Sequence, residues 1–319
     1  MFQFWERETF GHTAAGGVFT ATQVNKHLKR QSMTNKKKGK GIKYKKRTGP
    51  SMAEQADIQE LYEKSVQAPE SDVEFYIDTY KALRGKEPMV LREDFCGTSL
   101  ISLEWCKTDP KRIAISVDLD EATLEYGRKK HVEPAGKDIS DRIQLMLANV
   151  MDVTEPKADV TCAMNFSYWF FKTRDSLRDY FKLARGGLKE DGILVLDIFG
   201  GTESMEEMEE ERDVDDEDFE YIWDQHKFNP ITHEMSCYIH FKFPDGSRLK
   251  RAFSYHWRMW TIPEVTELLQ EAGFSKARIY WERFEDTGDD DELEGTGEYE
   301  EVTEAENQEA WINYIVAER

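Results

Sequence analysis

Eight consecutive residues, Arg92-Glu93-Asp94-Phe95-Cys96-Gly97-Thr98-Ser99, place a cation, two carboxylates, a thiol and a glycine where a short apolar run gives way to a helical pattern. A tight strand-to-helix bend of this kind turns backbone N–H groups outward and lets a ligand approach the main chain. About 20 residues after Gly97, Val117-Asp118-Leu119-Asp120 closes a second apolar run. A carboxylate there accepts hydrogen bonds from two neighbouring hydroxyls, as on a ribose. A third run ends at Asn149-Val150, where an amide oxygen can receive an exocyclic amine such as that of adenine. A fourth ends at Asn165-Phe166-Ser167-Tyr168. Structural roles compete at each position. Asp120 reads as a helix N-cap, Asn149 also fits a turn, and Arg92-Glu93 also fits an ion pair.

The elements that must hold these residues follow from hydrophobic period. Apolar runs at 89–91, 113–117, 143–148, 160–164 and 193–199 alternate with helical patterns at 100–107, 121–130 and 176–188. Two further helices, 57–67 and 73–83, precede them, the second stopped by Gly85 and Pro88. Such alternation means βαβ units and a parallel sheet. After Gly201 the rhythm changes. An acidic, helix-like stretch at 203–211 leads into strand-like runs at 221–227, 235–243 and 248–257, joined by Asn229-Pro230 and Pro244-Asp245-Gly246-Ser247. This predicts an antiparallel meander. A helix at 263–272, opened by Thr261 and closed by Gly273, precedes a strand at 277–282, an acidic glycine-rich loop at 286–297 and a last strand at 311–317.

From residue 57 onward, the order of these elements and turns resembles the class I S-adenosylmethionine-dependent methyltransferases. In that family the first turn usually reads acid-x-Gly-x-Gly-x-Gly. Here Glu93 stands at the acid and Cys96-Gly97-Thr98 match, while Phe95 and Ser99 replace two glycines. Those replacements argue against a dinucleotide site, whose pyrophosphate needs the glycines. The resemblance implies a Rossmann-like α/β fold with a seven-stranded sheet, its last strand antiparallel, and a β-meander insertion after strand five that roofs the substrate pocket. It implies S-adenosylmethionine as cofactor, with Glu93 or Asp94 on the amino group, Asp118 on the ribose and Asn149 on the adenine. Arg92 is our own candidate for the methionine carboxylate, and Cys96, Gly97, Thr98, Leu119, Val150 and Asn165 complete the expected cofactor contacts.

Methyl transfer is an in-line displacement at a sulfonium, so alignment, desolvation and an uncharged nucleophile matter most. A general base is needed only for an acceptor that arrives protonated. Phe166, Tyr168 and Trp169 after strand four, with Tyr238, His240, Tyr255, His256 and Trp257 on the meander, are positioned to line the methyl-facing pocket, although each aromatic also suits the core. Residues two apart share a strand face, so Tyr238 points with His240, and Tyr255 with Trp257. Tyr168, His240 and His256 are the catalytic candidates, and no metal is expected.

Composition bounds the rest. The 319 residues are 39% hydrophobic and 12% aromatic, which supports a packed core and excludes a wholly disordered chain. The four cysteines have no paired or metal-like spacing and suit a reducing compartment, and no apolar run approaches the roughly 20 residues that cross a bilayer. A cytoplasmic location is therefore expected. Residues 1–52 hold 12 Lys and Arg against two Glu, so this leader is basic and the body strongly acidic within a net charge of −20. Met33, followed by a Lys/Gly run, is a candidate natural start. The organisation expected is a basic leader (1–52), a cofactor-binding core (53–200), the β insertion (201–260) and completion of the core (261–319). An acidic body repels phosphate backbones, so nucleic acid or ribosome contact is expected only through the leader. The activity expected is N- or O-methylation of a small molecule. The alternatives are methylation of a protein or ribosomal component tethered by the leader, and a nucleotide-binding module without turnover.

Overall fold

The computed structural model describes residues 49–215, 217–286 and 293–319. Residues 1–48 of the leader, with the start at Met33 and any tethering by the Lys/Gly run, lie outside the described residues, whereas its last four residues are described.

The described chain opens with two capped helices. Ser51 and Glu54 form a capping box on α1 (Met52–Gln55), and Asp57 caps α2 (Ile58–Val66) by accepting from the N–H groups of Gln59 and Glu60. Helix α3 (Pro69–Arg84) ends on Gly85 at φ 67°, a left-handed position that carries no Cβ penalty in glycine. The start of α1 is tied to the 244–247 turn, because the N–H groups of Met52 and Ala53 donate to Asp245 Oδ2 (2.8 Å) and Ser247 Oγ (3.1 Å).

The core then alternates. It contains β1 (Val90–Asp94), α4 (Leu100–Thr108), β2 (Ile113–Asp118), α5 (Glu121–Gly127, extended by a π turn), α6 (Lys137–Ser140), β3 (Ile143–Leu147), β4 (Ala158–Ala163), α7 (Arg174–Gly187) and β5 (Leu188–Gly200). Four strands follow, β6 (Met208–Asp213), β7 (Glu220–Phe228), β8 (Glu234–Lys242) and β9 (Arg248–Arg258). The chain closes with α8 (Ile262–Glu271), β10 (Lys276–Asp286), β11 (Leu293–Val302) and β12 (Trp311–Glu318).

The main sheet has the order β11-β10-β12-β5-β4-β1-β2-β3. Strands β1 to β5 are parallel, and β12 runs antiparallel between β5 and β10, pairing Trp311 with Gly200 and Glu318 with Ile193. This is the expected Rossmann-like sheet with its antiparallel strand, plus an eighth strand. The extra strand, β11, pairs antiparallel with β10 and occupies part of the segment read as an acidic loop. Its Glu298, Glu300 and Glu301 are exposed, a charged pattern that suits an edge strand. The insertion is a four-stranded antiparallel sheet, β6-β7-β8-β9, one strand larger than expected. Its first strand replaces the helix expected at 203–211. Glu209 and Glu211 are exposed while Glu210 between them is buried, and that period of two is a strand's.

Helices cover both faces. Leu177, Tyr180 and Phe181 of α7 and Val265, Leu268 and Leu269 of α8 share one core cluster with the β insertion. Val73, Tyr76 and Tyr80 of α3 and Ile101 and Trp105 of α4 form the other. Each large side chain fully buried here contributes about 1.5–3 kcal/mol by leaving water.

Candidate cofactor and acceptor site

The sheet order reverses where β1 lies between β2 and β4, so a crevice opens beyond the carboxyl ends of these strands. The β1–α4 bend fills its floor. Phe95, Gly97 and Ser99 all adopt left-handed backbone, at φ 58°, 54° and 64°. The bend therefore keeps a glycine-type path although two of the three positions carry side chains, at a cost of about 1–2 kcal/mol each. Part of that strain is offset by packing, since the Phe95 ring lies against Phe171 and Tyr180 and Ser99 is buried. Asp118 closes the other wall. Its Oδ2 accepts the Gly97 N–H at 2.9 Å and its Oδ1 accepts the Asp120 N–H at 2.9 Å, while the Cys96 N–H donates to the Val117 carbonyl at 3.0 Å. Asp120 also caps α5.

Gly127 is a partner in this geometry that the sequence reading did not single out. A Cβ at Gly127 would stand 2.3 Å from the Thr98 carbonyl oxygen, so α5 can lie against the bend only with glycine there. A lone glycine inside an otherwise helical pattern was the available signal.

Behind the bend, the two carboxylates face opposite ways. Glu93 points to α4, where its Oε2 accepts from the Ser102 N–H (3.0 Å) and Ser102 Oγ (2.5 Å). Burial pushes its pKa up to about 8 against the pull of those donors. Asp94 points the other way and receives Arg92 Nε (2.7 Å) and the Tyr180 hydroxyl (3.0 Å). Burial raises the pKa of Asp94, and Arg92 opposes the rise. Arg92 is 1% exposed, and its remaining donors reach the carbonyls of Val150 (3.0 Å) and Val153. The guanidinium thus ties β1 to the β3–β4 connection. Cys96 is buried, and burial pushes its thiol well above the ordinary range.

Along the crevice rim, Asn149 is exposed and its Oδ1 accepts the Met151 N–H at 3.0 Å. Leu119 and Leu147 are 67% and 56% exposed at the ends of β2 and β3, and Leu147 pairs in register with Asp118. Two exposed leucines beside a carboxylate offer an apolar platform with a hydroxyl acceptor, the combination an adenosine requires. Leu147 was not among the expected contacts, although it directly precedes Ala148-Asn149. Two further observations fit a ligand here. The buried Thr98 hydroxyl has no hydrogen-bond partner, and a Cβ at Gly97 would meet nothing within 4 Å.

At the end of β4 a second tight turn carries Asn165 and Phe166 at φ 55° and 57°. Asp197 of β5, 0% exposed, holds it by accepting the N–H groups of Asn165 (2.7 Å) and Phe166 (2.9 Å). Burial pushes the Asp197 pKa up to about 8 even so. Asp197 was not singled out from sequence either, yet a carboxylate inside the apolar run 193–199 marks it. The Tyr168 hydroxyl donates to the Asp197 carbonyl at 2.9 Å, fully buried. Above the turn lies a pocket of about 20 Å³ lined by Tyr62, Asn165, Phe166, Trp223, Tyr255 and Trp257. Tyr255 and Trp257 stack with ring centroids 4.3 Å apart.

His240 and His256 lie on the other face of the insertion. Cys237, Ile239, Tyr255 and Trp257 pack toward the core cluster, so strand alternation places His240 and His256 on the opposite face, where His240 is buried beside Asp224 and His256 is exposed. His240 Nδ1 accepts the Arg251 N–H (2.7 Å) across a bulge and Nε2 meets Asp224 Oδ2 (3.2 Å), while His256 Nδ1 meets Ser236 Oγ (3.2 Å). Among the described residues, no group of three or more His, Cys, Asp or Glu is placed to hold a metal.

No family profile matches the chain. YqeM of Bacillus subtilis (strain 168), which carries a provisional methyltransferase name, is 25% identical over 193 residues, 58% of this chain and 72% of that protein. Among solved structures, the CcbJ methyltransferase of Streptomyces caelestis superposes with a TM-score of 0.60 at 14% identity, covering 81% of this chain and 95% of that one. CalS10 of Micromonospora echinaspora, an amino pentose methyltransferase solved with S-adenosylmethionine, gives 0.58 at 15% identity, covering 82% and 95%. A S-adenosylmethionine-dependent methyltransferase of Clostridium acetobutylicum gives 0.56 at 16% identity, covering 82% and 96%. At these identities the structural likeness is one of fold.

Proposed function

The chain has the fold of the class I S-adenosylmethionine-dependent methyltransferases, and from that premise we propose that it methylates nitrogen or oxygen of a small molecule. The observation that carries the proposal is the meeting of Asp118, Gly97 and two exposed leucines at the switch point of the sheet. Asp118 retains free lone pairs for both ribose hydroxyls. Leu119 and Leu147 flank the adenine, and Asn149 Oδ1 keeps a second lone pair for its amine. Thr98 Oγ1 and the bend face the amino-acid tail. Arg92, Glu93 and Asp94 hold the bend rather than the ligand, because Ser102, Tyr180 and the Val150 and Val153 carbonyls already engage them. Cys96 and Val150 support the bend from below.

The cofactor supplies an electrophilic methyl group on a sulfonium. Asn165 and the aromatic pocket occupy the end of β4, where they exclude water and present aromatic faces to positive charge. Tyr168 positions this turn through Asp197, and His240 and His256, on the opposite face of the insertion, take no part in proton transfer. The substrate of CalS10, an amino pentose, supports a small acceptor. Four buried free thiols support a reducing cytoplasm, and no helix among the described residues is long and apolar enough to cross a membrane.

Two measurements test the proposal together. Titration calorimetry should show S-adenosylmethionine binding, and labelled methyl should pass from it into the small-molecule fraction of a cell extract. Label recovered only in protein or RNA would refute the small acceptor, and no cofactor binding would refute the reading as a whole.

A further inference from the structure

A groove of about 610 Å³ runs between α3 and the β10–β11–β12 side of the main sheet. Its floor is aromatic. Phe75 stacks on Tyr314 with centroids 4.2 Å apart, Tyr299 meets Tyr314 at 4.6 Å, and Tyr280 stands edge-on to Phe75 at 5.3 Å. Its rim is acidic. Glu74 and Asp78 lie one helical turn apart on α3, and Glu298 of β11 borders the same groove. Among the described residues, no Lys, Arg or His lines it, and neither Glu74 nor Asp78 has an ion-pair partner. Glu298 is paired with Arg283 at 3.2 Å, both exposed. Thr79, only 6% exposed, also lines the groove, and its hydroxyl has no hydrogen-bond partner among the described residues. The Tyr314 hydroxyl, by contrast, donates to Asp72 at 2.8 Å.

We propose that this groove is a second binding site, for a small organic polycation such as a linear polyamine. Aromatic faces attract cations through their quadrupole, and two like charges at i and i+4 repel one another until a cation lies between them. A chain of methylenes between ammonium groups covers the rings, the ammoniums meet the carboxylates, and the Thr79 hydroxyl accepts from one N–H. An anion is repelled by this rim, and a neutral ligand leaves the Glu74–Asp78 repulsion in place. The groove belongs to the α3/α4 side of the sheet, whereas the aromatic pocket belongs to the α7/α8 side. The two ligands therefore do not compete for space.

The acidic body attracts any polycation weakly, so the test must be resolved by site. Spermidine is titrated calorimetrically into the full chain at physiological ionic strength. We expect saturable one-to-one binding. Glu74→Gln with Asp78→Asn should weaken it about five- to tenfold, and Phe75→Leu should weaken it as well. Asp175→Asn with Asp179→Asn removes the same charge from exposed positions on α7 and should leave affinity within about twofold. Absence of saturable binding overturns the proposal. Equal weakening by the α3 and α7 pairs also overturns it, because it would show attraction to the net charge alone. The Glu74/Asp78 pair is solvent-facing, so the test stands even if Phe75→Leu fails to fold.

Discussion

Asp118 receives the Gly97 N–H on one carboxylate oxygen and the Asp120 N–H on the other, both at 2.9 Å. A single side chain thereby fixes the bend after β1 to the start of α5, with its remaining lone pairs toward the crevice. Asp118→Ala should weaken S-adenosylmethionine binding by about 2–3 kcal/mol, roughly 30- to 150-fold, the scale of hydrogen bonds to a charged group. Stability should change less, because the side chain is only half-buried. Calorimetry beside a thermal melt separates the two, and an unchanged affinity would put the ribose elsewhere.

Gly127 gives a prediction opposite in sign to helix propensity. Gly→Ala inside a helix ordinarily stabilises by up to about 1 kcal/mol. Here the new methyl would stand 2.3 Å from the Thr98 carbonyl, and neither backbone can yield without moving the bend. Gly127→Ala should therefore lower the melting temperature and weaken cofactor binding together. A rise in stability would mean that α5 slides freely on the bend.

Glu93 makes stability depend on pH. Its folded pKa of about 8 lies far above the roughly 4.3 of an unfolded glutamate. Between these values the folded state binds the extra proton, so stability falls as pH rises from about 4.5 to 8 and levels off above that. Asp197, also pushed up to about 8, adds a slope of the same sign. Glu93→Gln keeps an oxygen for both Ser102 donors while removing the titration. Denaturant melts from pH 5 to 8 should show a shallower decline for the variant than for the parent. Parallel curves would mean that Glu93 stays ionised in the fold.

Much of this was legible in the residues themselves. The short continuous apolar runs, alternating with helical patterns, located the parallel strands, and Thr261 and Gly85 marked helix ends through side-chain and backbone chemistry that acts locally. The placement of Asp118 beside Gly97 followed from their spacing across one βαβ unit. Acidic segments were harder, because exposed glutamates satisfy a helix surface and an edge strand equally. Only pairing with β7 and β10 decided β6 and β11. Long-range packing hid the rest. Nothing near Asp197 in sequence announces that its carboxylate will hold the Asn165–Phe166 turn, and nothing near Tyr62 on α2 announces that it will line a pocket with the β insertion.

His256 and Trp257 are adjacent in sequence but belong to opposite faces of β9. Trp257 packs inward, stacked on Tyr255 against the pocket beside Asn165, whereas His256 is exposed and touches Ser236. A histidine suits proton transfer by its pKa range, but reach comes first, and a strand turns neighbouring side chains apart. His256→Ala should therefore leave kcat/KM for the acceptor within about twofold, since no transition-state contact is removed. Trp257→Leu should lower it by about tenfold or more with the Kd for S-adenosylmethionine unchanged, the loss of one aromatic contact to the acceptor. Trp257→Phe keeps a ring in place and should recover most of the activity, which separates pocket chemistry from the stability cost of a smaller side chain. A fall in activity for His256→Ala matching that of Trp257→Leu would return the histidine to the reaction and mean that the outer face of the insertion, not the inner one, meets the substrate.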